Sequence, residues 1–153
     1  MGTGATIQNG FGEVIFDSIV PQNAGGGGGG AAAISVTVTA EEEAPYGLPW
    51  IVTAFAACAD PLAGQQVIRV STPFDSTDPK PISAECPAGQ VATGGGAGMV
   101  NDPAGAGNSI IDDMFPNNVG AGIAPTQTIG LAFVEDPFFG SWELLMYALC
   151  ADA

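Results

Sequence analysis

The chain has 153 residues and a formal net charge of −14, with Arg69 and Lys80 as its only cations and no histidine. Two cations cannot supply a phosphate-binding footprint, which excludes direct nucleic-acid binding, and the lack of histidine excludes Ser-His-Asp and Cys-His catalysis and His-ligated zinc. A mean hydropathy of +0.31 and 46% hydrophobic residues provide for a core, so charge-driven disorder is excluded as well.

Residues 1–12 contain no basic residue and no apolar h-region, so they do not read as a secretory signal. The chain has no stretch of about 18 apolar residues, so no membrane span is expected. Residues 1–19 read as an N-terminal arm whose apolar run, with Val14, Ile15 and Phe16, ends before Pro21. Such an arm suits strand addition to a neighbouring subunit. Glycines fill positions 25–30, either as a flexible linker or as a close-packed turn that only glycine fits. Ile34-Ser35-Val36-Thr37-Val38-Thr39 alternates apolar and polar β-branched residues, the clearest strand in the chain. The acidic run Glu41, Glu42 and Glu43 reads as a solvated loop, with a cation site as the alternative.

Two segments then match each other. Residues 50–60, from Trp50 through Phe55 and Cys58 to Asp60, align with residues 142–152, from Trp142 through Tyr147 and Cys150 to Asp152, at six of eleven positions. The second copy is rich in helix formers and the first in strand formers. If the two are equivalent, both are strands, with Trp, Cys and the even positions on one face. Both faces are mostly apolar, so the strands are expected to be buried on both sides, by a second sheet or a neighbouring subunit. Trp50 and Trp142 accordingly read as core rather than as sugar platforms.

The match extends backward. Pro87 and the block Gly94-Gly95-Gly96-Ala97 align with Pro21 and Gly28-Gly29-Gly30-Ala31 at identical spacing, which favours the close-packed reading of the glycines. The chain therefore divides into an arm (1–19), a β repeat (20–60), a connecting β segment (61–85) and a second β repeat (86–153) with a long Gly/Asn/Pro-rich loop around residues 101–128, all in one compact domain. Short strands are expected around residues 67–70, 82–86 and 128–134, with a turn-rich loop over 72–81. The fold class is all-β, an antiparallel sandwich or prism-like fold built from two divergent repeats.

Three cysteines leave one thiol over if a bridge forms. Cys58 with Cys86, across the repeat junction, is the favoured pair. Cys86 with Cys150 and three reduced thiols are the alternatives. No Cys-x-x-Cys pair supports a metal site. Gly25, Gly27 and Gly30 satisfy a dinucleotide-binding pattern trivially, and no Gly-Lys-Ser/Thr occurs. The adjacent acids Asp112 and Asp113, and Glu135 and Asp136, point to opposite faces if on strands, so neither pair suits a glycosidase. Asp112 and Asp113 are weak Ca²⁺ candidates, and otherwise no metal and no cofactor is expected. Phe138 and Phe139, between Pro137 and Gly140, are candidates for an exposed contact surface, together with Val14, Ile15 and Phe16.

Cys86-Pro87-Ala88-Gly89, the block 94–97 and the Trp…Phe/Tyr-Ala-x-Cys-Ala segments resemble a β-domain family of actinobacteria and their phages, over about residues 20–152. The chain departs from that pattern at Gln90, where lysine is usual, and lacks the first repeat's cysteine. The resemblance implies a secreted or phage structural protein and brings no catalytic residues with it. The expectation is a non-enzymatic structural protein of a phage-like particle, a capsid decoration or tail-associated subunit. It would act by self-assembly in a virion or extracellular assembly, with copies of itself and other capsid or tail proteins as partners. The alternative is a secreted cell-surface binding module for carbohydrate or protein.

Overall fold

A computed structural model describes residues 2–23, 30–43, 45–102, 109–117, 123–134 and 140–153. The protein is all-β, with antiparallel sheets in a sandwich-like arrangement. The strands are β1 (Gly2–Gln8), β2 (Val14–Asn23), β3 (Ala33–Glu42), β4 (Ile51–Ala57), β5 (Gln66–Ser71), β6 (Lys80–Glu85), β7 (Gln90–Asn101), β8 (Ser109–Asn117), β9 (Gln127–Val134) and β10 (Trp142–Asp152). They form a five-stranded sheet β3-β2-β7-β10-β5, a three-stranded sheet β6-β9-β8 and a two-stranded ribbon β1-β4.

The strand β10 organises the core. Its even positions Trp142, Leu144, Met146, Ala148 and Cys150 pack with Ala97 and Met99 of β7 and with Ala84 and Ala132 of the three-stranded sheet. Its odd positions Leu145, Tyr147 and Leu149 join Val20, Ala33 and Val67 in a second cluster. Ala33 and Val67 lie on the two edge strands of the five-stranded sheet, so the sheet curls around this second cluster. Each fully buried Leu or Met of β10 contributes on the order of 2 kcal/mol. Strand formation overrides the helix propensity of Glu, Leu, Met and Ala here, because a strand gives both faces of the segment an apolar layer.

On the side of the first cluster, the three-stranded sheet lies against β10 and β7, while β1 lies against β7 and β2, and β4 against β3. Thr3 Oγ1 donates to the Gly95 carbonyl at 2.7 Å and anchors the ribbon. The stretch expected as an arm is thus folded within the chain, as β1 on β4 and as β2 between β3 and β7. β2 meets β7 through only two residue pairs, Ser18 with Gly98 and Ile19 with Ala97. A Cβ on Gly96 would run into the Ile19 carbonyl and Pro21. That close approach is the role foreseen for the second glycine block; of the first tract, residues 25–29 lie outside the described residues.

Three expectations need correction. Cys86 is bonded to Cys150, not to Cys58. Cys86 follows β6 and Cys150 lies on β10, which pack together, whereas Cys58 follows β4 in the ribbon and is exposed. The two Trp-to-Cys segments are not equally buried. Trp142 is 1% exposed, but Trp50 is only half-buried and β4 is open to solvent along most of its length. Finally, the long loop expected around residues 101–128 contains β8, whose Ile110, Ile111 and Met114 are half-buried.

Candidate interaction surface

The sequence-derived contact residues scatter. Val14 is 6% exposed and therefore core, a correction to its place among the contact candidates. Ile15 and Phe16 are half-buried on β2, and Phe16 lines an apolar hollow of about 170 Å³ with Ile19, Ala97, Ile111, Asp112 and Met114. Phe138 and Phe139 lie outside the described residues, as do Glu135 and Asp136. Asp112 and Asp113 are exposed on β8, with Asp112 at a bulge where the pairing with β9 shifts register. Among the described residues, no three His, Cys, Asp or Glu side chains gather where they could hold a metal ion.

The most elaborate polar site is one that sequence reasoning passed over. Lys80 opens β6 and is 3% exposed. Its Nζ donates to Asp75 Oδ1 at 2.6 Å and to the Pro73 carbonyl at 3.1 Å, and it stands 4.9 Å from the centre of the Trp142 ring. Asp75 Oδ1 also accepts the Thr77 amide at 3.0 Å. The Lys80 hydrogen bond and the Thr77 amide hold the Asp75 carboxyl down at about 2. The Asp75 backbone bridges to Trp142. The ammonium thus has a carboxylate, a carbonyl and an aromatic face as partners. The arrangement ties the 72–80 loop onto β10.

Gln90 belongs to a second tie. Its Nε2 donates to the Gly64 carbonyl at 2.9 Å and to Asp152 Oδ1 at 3.1 Å, while its Oε1 accepts from Gln66 at 2.9 Å. A lysine here could not accept the bond from Gln66.

Among the described residues, four of ten exposed large apolar side chains lie on the ribbon or beside it, while others, such as Ile34 on β3 and Ile123, lie off it. Phe11 is 79% exposed, Leu48 60%, Ile51 54% and Phe55 53%. Residues 2–12 and 45–59 contain no charged side chain, although the chain carries sixteen acids. At one end of this region Glu42 accepts the Trp50 indole N–H at 2.9 Å and the Tyr46 amide at 3.1 Å, which together hold its carboxyl below the ordinary range. The Tyr46 hydroxyl donates to the Asn9 carbonyl at 2.9 Å. These bonds position Tyr46 and Trp50 next to the turn that carries Phe11.

Compared with family models, curated proteins and solved structures, the chain has no match.

Proposed function

We propose that the protein is a non-catalytic structural subunit of a phage-like particle, a capsid decoration or tail-associated protein that acts by self-assembly. The observation that carries this reading is the exposed, charge-free apolar region around β1 and β4 on a chain of net charge −14. Exposed apolar side chains in a stretch without charges suit contact with another surface. The resemblance of the Cys-Pro-Ala-Gly and Gly-Gly-Gly-Ala blocks to actinobacterial and phage β-domains points the same way, as does the engagement of the Lys80 amine in structural contacts.

The test is density-gradient fractionation of the native source, with peptides read by mass spectrometry after cleavage by a Glu-specific protease. Sedimentation with particles, in fixed ratio to a major coat or tail protein, is the expected result. Recovery only from soluble culture fluid would overturn it. The second reading, a secreted binding module for carbohydrate or protein, is favoured by the grouping of exposed Phe11 with half-buried Tyr46 and Trp50, since aromatic faces open to solvent suit sugar stacking. Glycan binding lost on Trp50→Ala would support that reading.

A further inference from the structure

We infer that two copies of this chain join through the outer edge of β4, in antiparallel pairing about a two-fold axis. The inference rests on the self-assembly reading and names the surface that performs it.

An edge strand is a template for another strand, and proteins guard such edges with charges, prolines or bulges. Most of the edges here are guarded. β3 ends in Glu41 and Glu42, β5 carries Arg69, and β6 carries Lys80, Pro81 and Glu85. β8 has its bulge at Asp112 and a proline at Pro116. β1 has no such guard, but its open side adjoins β8 across a hollow of about 220 Å³ lined by Gly2, Thr3, Met114, Phe115 and Pro116. β4 is different. Its seven residues pair with β1 in unbroken register, and they include no charge, no proline and no bulge. Its other edge is hydrogen-bonded to no strand among the described residues.

Charge selects the occupant. A partner chosen by attraction to a chain of charge −14 would be basic and would seat on the acids, none of which lies on this ribbon. Two copies repel through their acids at any approach, and that repulsion is least at a charge-free edge, where two neutral faces meet. Antiparallel pairing of a strand with its own copy is self-complementary about a two-fold axis. Pairing all seven residues, Ile51–Ala57, centres the axis on Ala54. Thr53 of one copy then faces Phe55 of the other. The two Phe55 rings become diagonal neighbours about 7–8 Å apart on one face, within reach of aromatic side chains. Each ring is half-exposed in the single chain, at 53%.

The full chain is examined by sedimentation equilibrium beside Phe55→Lys and, as a control, Phe74→Lys, which alters a residue 52% exposed off the ribbon. Near-UV circular dichroism verifies folding. The expected result is a dimer whose dissociation constant rises at least tenfold in Phe55→Lys and is unchanged in Phe74→Lys. A second measurement needs no substitution. A spin label on the exposed thiol of Cys58 reads the distance between copies by double electron–electron resonance. With the axis at Ala54, Cys58 faces position 50 of the other copy, so the two labelled backbones lie about 27 Å apart at roughly 3.3 Å per residue. A single distribution near that distance supports the pairing. A dimer that ignores Phe55→Lys, or label distances well beyond 45 Å, overturns the β4 interface and leaves self-assembly through another face standing. A wild-type chain that stays monomeric at millimolar concentration overturns both.

Discussion

Gly96 marks the tightest approach between strands, with the Ile19 carbonyl and Pro21 where its side chain would stand. Gly96→Ala is expected to destabilise the fold by about 1–3 kcal/mol, because the obstacle is backbone and a rigid ring rather than a yielding side chain. Gly4→Ala, where nothing lies within 4 Å, serves as the control, with urea unfolding as the measurement. The Lys80–Asp75 pair makes a different prediction. The Asp75 carboxyl lies at about 2 in the folded protein against an ordinary 3.8. Its contribution to stability is therefore complete above about pH 4 and is lost as pH falls toward 2. Thermal melts in that window should drop for the wild type, and Asp75→Asn should lose much of that slope. At neutral pH Asp75→Asn should itself melt on the order of 5 °C lower, since it leaves a buried ammonium short of its carboxylate. Adding Lys80→Met should recover part of the loss, because an aliphatic chain over Trp142 needs no counter-charge.

The Cys86–Cys150 bond joins the end of β6 to β10 and so staples the two layers covalently. It closes a separation of 64 residues, which the chain-entropy relation values at about 4 kcal/mol. Cys86→Ser with Cys150→Ser should lower the urea-extrapolated stability by up to that amount, whereas Cys58→Ser should leave it unchanged. The pairing was hard to read from the sequence because repeat logic assigned like environments to Cys58 and Cys150. Burial instead followed the neighbours each strand finds. Leu144 and Met146 sit between two layers and Leu149 inside the curl of its own sheet, while Ile51 and Phe55 of the matching segment stay exposed on a ribbon that lies against β3. The alternation at residues 34–39 revealed β3 directly, and the Trp-to-Cys match placed β10 as a strand against its helix-forming composition. β8 was hidden by its Gly-, Asn- and Pro-rich surroundings. Lys80 gave no signal at all, since a lysine in a turn-rich loop becomes a buried ion only when Trp142, far along the chain, arrives to cover it.

Over the whole molecule, the sixteen acids set how readily two copies meet. The screening length falls from about 30 Å at 0.01 M salt to about 10 Å at 0.1 M. The proposed dimer should therefore tighten several-fold over that range, opposite to an assembly held by ion pairs, and sedimentation across a salt series checks the sign. Acid should also loosen the end of the ribbon, because protonating Glu42 weakens the acceptor of both Trp50 and Tyr46. Trp50 fluorescence in a Trp142→Phe background should report that change as pH falls below the ordinary carboxylate range. The sheet order carries one more consequence, for biosynthesis. β10 is made last among the strands, yet it stands between β7 and β5. On the ribosome both of those strands emerge with a vacant place between them and wait until residue 152 has cleared the exit tunnel. Completion of the sheet, and with it the pairing of Cys150, thus waits for the last of the ten strands rather than proceeding strand by strand with synthesis.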